Sequence, residues 1–166
     1  MSKTEDNLRA AFAGESQANR KYLAYAQKAE DENKPEIAKI FRVAAEAETI
    51  HAHNHFRVLG GVKTTEENLA DAIAGETYEA EEMYPEFLAE AESQNDQAAQ
   101  TTFRNAKHVE AIHERMFKEA LEKNASGEKL EDVEYHICPV CGFPAGNQAP
   151  ERCPVCGAPG ERFYKL

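Results

Sequence analysis

The chain has 166 residues, of which 42% are hydrophobic, and its formal net charge at pH 7 is −11 because 30 acidic residues outnumber 19 lysines and arginines. This length allows one ordinary domain with a small appendage, and the composition excludes global disorder. The negative charge argues against nucleic acid and anionic membranes as partners, since both bind basic surfaces. No run of apolar residues approaches the ~18 needed to span a membrane. The N-terminus is too polar for a secretory signal, so we expect a cytoplasmic protein.

The composition changes sharply after residue 124. All four cysteines and five of the seven prolines lie in residues 125–166. This break predicts a helical domain over residues 1–124, a polar linker over 125–134 and a small domain over 135–166. A unit of about thirty residues rarely folds on a hydrophobic core alone, so we expect a metal or a disulfide to hold it together.

Residues 1–124 read as helix almost throughout, because Ala, Glu, Lys, Gln and Leu dominate them. The pattern predicts helices at about 4–32, 35–59, 65–93 and 96–124. Ser2 or Thr4 is the expected cap of the first helix, and Thr64 or Thr65 that of the third. The predicted fold class is therefore mainly α, a four-helix bundle about 35–40 Å long followed by a region of short strands and turns.

The helical part contains an internal repeat. The segment Leu8–Ser16 matches Leu69–Thr77, and Glu48–His51 matches Glu110–His113. The first pair of helices is therefore duplicated as the second pair.

The two copies differ by one residue in register. Glu15 precedes Tyr22 by seven positions, whereas Glu76 precedes Tyr84 by eight. The extra residue predicts a π-bulge in the third helix, a feature that favours functional sites.

Ionisable residues lie in the middle of the apolar stripe of each predicted helix. Burying them without cations would be costly. A Glu-x-x-His segment places both side chains on one helix face. One Glu from each of two helices and a Glu-x-x-His from each of the other two form the ligand pattern of ferritin-like di-metal sites, with oxygen and imidazole ligands that suit iron or manganese. One such segment in so acidic a chain means little, but two in register with the repeat predict a metal site. The candidate ligands are Glu15, Glu48, His51, Glu76, Glu110 and His113, with Glu79 as a seventh.

The C-terminal part contains two matching cysteine turns. They are Cys138-Pro-Val-Cys141-Gly and Cys153-Pro-Val-Cys156-Gly, and 11 residues separate Cys141 from Cys153. Two such turns place four thiolates around one tetrahedral metal, which is either zinc or iron. We expect a small aromatic core around them, formed by Tyr135, Phe143, Phe163 and Tyr164.

Taken together, these motifs resemble the rubrerythrin family over essentially the whole chain. The resemblance implies a di-iron site in a ferritin-like bundle and a single iron bound by four cysteines in a rubredoxin-like domain. The implied di-iron ligands are Glu15, Glu48, Glu76, Glu79, Glu110 and His113. The resemblance also implies that His51 replaces Glu79 as ligand to one iron on reduction, and that Tyr22 and Tyr84 donate hydrogen bonds to the carboxylates.

The same resemblance implies a peroxidase that reduces hydrogen peroxide to water in oxidative stress defence. Its electrons would come from an NAD(P)H-dependent reductase, often through rubredoxin, and the four-cysteine iron would relay them. Two other functions stay open from the residues alone. The bundle by itself is consistent with a ferroxidase or an iron-handling protein, and the tail by itself with a structural zinc in a non-catalytic binding module.

The connection between the second and third helices predicts a domain-swapped homodimer. In a ferritin-like arrangement these helices run parallel, so the chain must return about 33 Å along the bundle. The connector around residues 60–65 reaches at most ~20 Å. Either the third helix turns back antiparallel, which changes the topology, or the two helix pairs come from different chains, which we expect.

Overall fold

The computed structural model describes residues 2–166. The chain divides into two compact units, one ending at Lys63 and the other beginning at Thr64. Among the described residues, no helix combines the length and the apolar character needed to cross a membrane.

The first unit is a hairpin of two helices, α1 (Lys3–Asp31) and α2 (Pro35–Val58). Ser2 is the cap of α1, because it forms a reciprocal capping box with Glu5. Between the helices Asn33 has a left-handed φ of 56°, and Pro35 occupies the first turn of α2, where no backbone N–H is needed.

Small residues hold this hairpin together. Ala26, Ala38 and Ala45 are at most 1% exposed, which lets the two backbones approach closely. The buried Asn19 amide nitrogen bridges the helices by donating to the carbonyl of Ala45 at 2.7 Å and to Thr49 Oγ1 at 2.8 Å. The larger apolar side chains therefore lie on the other faces of the hairpin, where many of them are exposed.

The second unit begins with a long helical run that corresponds to the third predicted helix. It comprises α3 (Thr65–Tyr78), a π-helical turn (Glu79–Met83) and α4 (Tyr84–Ser93). The π-helical turn confirms the predicted bulge and lies between Glu76 and Tyr84, where the extra residue was placed. Thr64 caps α3 through a capping box with Glu67.

The run is followed by α5 (Gln97–Ser126), which Asp96 caps and Gly127 ends in the left-handed conformation. Aromatic side chains then show that the two helix pairs are structural copies. In the first pair, Tyr22 and Tyr25 lie 6.3 and 5.5 Å from Phe41 between ring centroids. In the second pair, the corresponding distances from Phe103 are 6.2 Å to Tyr84 and 5.6 Å to Phe87. The π-helical turn thus absorbs the extra residue without disturbing the packing beyond it.

The C-terminal region is a three-stranded antiparallel sheet with the order β2-β1-β3. Its strands are β1 (Tyr135–Ile137), β2 (Pro144–Gly146) and β3 (Tyr164–Lys165). Cys138, Cys153 and Ala158 form its core, and Phe143 and Phe163 pack against them. The predicted fold class is confirmed, but the prediction that Tyr164 joins the aromatic core is wrong. Its side chain is 52% exposed because it lies on an edge strand.

Candidate metal centres

The first hairpin brings three of the predicted ligands together. Glu15 comes from α1, and Glu48 and His51 come from α2, with one ligand atom from each within 4.8 Å of the others. His51 Nδ1 lies 3.1 Å from Glu48 Oε2, one helical turn away. The Glu48 side chain is 18% exposed and that of His51 is 54% exposed, so the histidine retains freedom to move.

The second unit repeats this arrangement. Glu76 from α3 and Glu110 and His113 from α5 place their ligand atoms within 4.8 Å of one another. His113 Nδ1 lies 2.8 Å from Glu110 Oε2 and 3.7 Å from Glu76 Oε1. These side chains are more buried than those of the first group, with His113 33% and Glu110 16% exposed.

The second group is electrostatically strained in the absence of a cation. Burial and the neighbouring Glu110 carboxylate raise the pKa of Glu76 to about 7. Burial, followed by the Glu110 charge, also raises the pKa of Glu79. The hydrogen bond to Glu110 raises the pKa of His113. The raised pKa values of Glu76 and Glu79 show that their carboxylates are hard to ionise beside Glu110, and that of His113 shows that positive charge is favoured among them. A bound cation would supply that positive charge.

Glu79 and the two tyrosines are not members of these groups. Glu79 is the first residue of the π-helical turn, and its carboxylate is outside the 4.8 Å cluster. Burial, followed by the charges of Glu110, Glu79 and Glu76, raises the pKa of Tyr84. The ring of Tyr22 lies 6.3 Å from that of Phe41, and the ring of Tyr84 lies 6.2 Å from that of Phe103, measured between centroids.

The donor chemistry of both groups fits iron or manganese. Each group offers two carboxylates and one imidazole, and none contains sulfur. Together the two groups hold the complete set of one Glu from each of two helices and a Glu-x-x-His from each of the other two.

The four cysteines form a second kind of metal centre. Cys138 Sγ lies 3.6 Å from Cys156 Sγ, and Cys141 Sγ lies 3.5 Å from Cys153 Sγ. A tetrahedral ion with metal–sulfur bonds of about 2.3 Å requires sulfur atoms about 3.8 Å apart. The cysteines are therefore arranged for one tetrahedral metal.

Backbone N–H groups favour the ionised form of one of the four thiols, that of Cys138. Burial favours the neutral thiol of Cys138, but donors from the Val140 and Cys141 backbone and from neighbouring thiols outweigh it, and its pKa falls to about 7. Burial raises the pKa of Cys141 and of Cys156. A bound cation would keep the Cys141 and Cys156 thiolates ionised against this effect.

One link beside the second carboxylate group was not foreseen from the sequence. Thr77 Oγ1 donates to Glu114 Oε1 at 2.7 Å, and Lys118 Nζ donates to the same oxygen at 2.7 Å. Thr77 follows Glu76, and Glu114 follows His113, so this bridge ties α3 to α5 next to two ligands. No spacing rule reveals it, because the partners are 37 positions apart.

Comparisons with known proteins agree with both centres. Residues 6–121 match the family model described as Rubrerythrin, and residues 136–164 match the one described as Rubrerythrin, rubredoxin-like domain. The chain is 37% identical to Rubrerythrin-2 of Clostridium acetobutylicum over 84% of each chain. It is 36% identical to Rubrerythrin of Porphyromonas gingivalis, over 86% of this chain and 78% of that protein.

Nigerythrin is similar in both sequence and structure. The chain is 30% identical to Nigerythrin of Nitratidesulfovibrio vulgaris, over 96% of this chain and 85% of that protein. A solved structure described as the partially reduced state of nigerythrin aligns with a TM-score of 0.57 at 29% identity. That alignment covers all of this chain and 88% of the other.

Proposed function

The chain belongs to the rubrerythrin family, and on that premise we propose that it is a peroxidase that reduces hydrogen peroxide to water in the cytoplasm as a defence against oxidative stress. The family carries a di-iron site and a rubredoxin-like site in which four cysteines bind one iron, and this chain has a ligand set for each. The observation that carries the proposal is that both sets occur in one chain.

Iron held by the carboxylate groups would supply two electrons for cleaving the O–O bond, and iron held by the four cysteines would supply single electrons to restore them. Glu48 and Glu110 are each the carboxylate of a Glu-x-x-His segment, and we assign them as the ligands shared by both metals. In each segment the histidine Nδ1 lies 3.1 or 2.8 Å from a carboxylate oxygen, so the carboxylate and the imidazole face the same point.

Glu79 and His51 are proposed as alternative ligands for one metal position. The support is that both have room to move. His51 is the most exposed histidine of the two groups, and Glu79 starts the π-helical turn outside the cluster. Tyr22 and Tyr84 are proposed as hydrogen-bond donors to the carboxylates once the two halves are joined, since the Tyr84 hydroxyl already experiences their charge.

A ferroxidase would need the carboxylate site but not a redox centre in the tail. The peroxidase proposal needs both, with electrons arriving from rubredoxin or from an NAD(P)H-dependent reductase. The two functions can be distinguished by mixing the chemically reduced, iron-loaded protein with hydrogen peroxide or with dioxygen and comparing the rates of oxidation. The peroxidase predicts oxidation at least tenfold faster with peroxide. Faster oxidation by dioxygen, with uptake of added ferrous iron, would instead identify a ferroxidase.

We also propose that the complete di-iron site forms in a domain-swapped homodimer. Each helix pair carries only half of the ligand set, and six residues, 59–64, join them. That connector reaches about 20 Å at most, which is less than the return of about 33 Å that parallel helices require. One chain would therefore supply Glu15, Glu48 and His51, and its partner Glu76, Glu79, Glu110 and His113.

Mixing two inactive variants tests the swap. Glu48→Ala removes one half-site and Glu110→Ala the other, so each homodimer contains two defective sites. If the halves are exchanged, a heterodimer formed on refolding has one site with both defects and one with none. We expect the mixture to recover about a quarter of wild-type activity, from half the dimers with half their sites. Refolding each variant alone is the control, and an inactive mixture would contradict the exchange.

A further inference from the structure

A second apolar stripe runs along α2, apart from the one that carries the metal ligands. It comprises Ile40, Val43, Ala47, Ile50 and Asn54, at alternating spacings of three and four residues. Ile40, Val43 and Ile50 are 68%, 64% and 54% exposed. A 3-4 spacing of apolar residues is the pattern of a helix that packs lengthwise against another helix. We call this stripe the α2 seam.

The internal repeat shows that this face is one the fold covers. Ala47 corresponds to Val109 on α5, 62 positions later. Val109 is only 2% exposed, and a β-carbon built on Gly142 of the four-cysteine region would lie 3.8 Å from it. The chain therefore uses its own C-terminal region to cover the middle of this face on α5, at Val109. The described residues provide no such cover for the seam on α2.

From these observations we infer that the α2 seam packs against the α2 seam of a second copy of this chain, with the two helices antiparallel. This inference rests on the proposed homodimer and assigns its contact surface and register.

Charges at the two ends of the seam select the antiparallel orientation. The same spacing, continued beyond the seam, reaches Glu36 at one end and Arg57 at the other. Arg57 Nη1 donates to Asn54 Oδ1 at 3.3 Å. In a parallel pair each charge would face its own copy and repel it. In an antiparallel pair Glu36 faces the Asn54–Arg57 end of the other helix, so opposite charges meet at both ends.

The apolar residues select one antiparallel register. When Ile40 lies opposite the second copy's Ile50, Val43 lies opposite its Ala47, and no large apolar side chain faces a polar one. Shifting the helices by one heptad to the next register would place Ile40 opposite Arg57 and Val43 opposite Asn54. Burial of apolar surface therefore favours the first register.

This register also explains how so short a connector can join α2 to the exchanged α3. It places Val58, the end of α2, level with the start of the second copy's α2. In a ferritin-like bundle the exchanged α3 must begin at that same end, because it runs parallel to α2. The connector then only steps sideways between neighbouring helices, whose axes lie about 8–10 Å apart, a distance within its ~20 Å reach.

Disulfide trapping of the metal-loaded protein tests the orientation and the register together. In the proposed pair, Ile40 of each chain faces Ile50 of the other, so the double variant Ile40→Cys/Ile50→Cys should form a covalent dimer under mild oxidation. Each single variant places its two cysteines ten residues apart along the pair, about 15 Å at 1.5 Å per residue. A disulfide needs α-carbons closer than about 7 Å. The single variants should therefore stay monomeric on a non-reducing gel.

Because Ile40 and Ile50 are exposed, these variants should fold, and an unchanged helical circular dichroism spectrum and visible absorption check this. Adding Glu36→Arg to the double variant should slow cross-linking several-fold, and adding Arg57→Glu as well should restore it. Cross-linking of a single variant would overturn the antiparallel seam in favour of a parallel one, and no cross-linking of the double variant would overturn the seam altogether. The swap itself is tested separately by mixing the Glu48 and Glu110 variants, so either proposal can fail alone.

Discussion

Glu48 illustrates how a single residue links sequence pattern to chemistry. It lies on the ligand face of α2, 18% exposed and paired with His51, whereas Glu46, two positions earlier, points to solvent. Both are acidic residues in the same helix, so only their placement distinguishes them. This makes them a matched pair for mutagenesis.

Glu48→Ala should lower steady-state peroxide reduction at least a hundredfold, because the metals lose a shared ligand. Glu46→Ala should keep wild-type activity within about twofold. Both proteins should keep the visible spectrum of the four-cysteine iron, which confirms folding of the tail. Comparable activity of the two variants would remove Glu48 from the site.

The raised pKa of Glu76 predicts how metal binding depends on pH. Its pKa of about 7 is raised first by burial and then by the Glu110 charge. A ligand carboxylate must be ionised, so below this pKa a proton competes with the metal, and above it the competition ends. The affinity of the metal-free protein for ferrous ion should therefore fall between about pH 8 and about pH 6, by up to tenfold per unit below the pKa.

Calorimetric titration in two buffers with different heats of ionisation measures the protons released on binding. Near pH 6 we expect more protons released per metal than near pH 8. Equal proton release at both values would show that Glu76 is already ionised in the metal-free protein.

At the level of elements, the π-helical turn is the clearest difference between the two repeats. The sequence predicted it, since the eight-residue spacing from Glu76 to Tyr84 exceeds its seven-residue counterpart. The aromatic distances beyond the turn match those of the first pair, where α1 is regular. The turn is therefore a local insertion and not a change of packing.

Removing Glu81, an exposed residue in the turn, should convert it to regular α-helix and leave the melting temperature within a few degrees of wild type. Removing Lys107 from α5 is the matched control, because α5 has no bulge and everything beyond the deletion rotates by about 100°. That variant should be unfolded or have a much lower melting temperature than wild type, measured by calorimetry or circular dichroism. If the Glu81 deletion is as damaging as the control, the turn is part of the packing after all.

The sequence was sufficient for features that depend on local rules. Helix ends followed from caps such as Ser2 and Thr64, and the ligand groups followed from the Glu-x-x-His spacing. Features that depend on tertiary contacts were not accessible. The Thr77–Glu114 bridge joins distant positions, the exposure of Tyr164 follows from its place on an edge strand, and the cross-helix hydrogen bonds of Asn19 follow from close packing of alanines.

At the scale of the whole molecule, the proposed peroxidase requires two metal centres that fold independently and exchange electrons. The four cysteines lie in turns beside a small sheet and form part of a core of their own, distinct from the helices that carry the carboxylates. Loss of one centre should therefore leave the other loaded.

Cys153→Ser should abolish the red colour of the oxidised four-cysteine iron and turnover supported by the reductase. It should retain two irons per chain in the helical part, measured by metal analysis. Peroxide should still oxidise those irons once after chemical reduction. Unchanged reductase-supported turnover in this variant would show that the tail is not the relay.

In the proposed function, peroxide reacts at the carboxylate site and draws electrons from the four-cysteine iron. The most direct test is an anaerobic titration of the fully reduced, colourless protein with hydrogen peroxide, followed by visible absorption. We expect the red colour to return fully at about 1.5 equivalents of peroxide per chain, because three ferrous ions supply three electrons and each peroxide takes two. In Glu110→Ala the colour should stay bleached or return far more slowly. If the colour returned at the wild-type rate in that variant, peroxide would be oxidising the tail directly and the proposed function would be wrong.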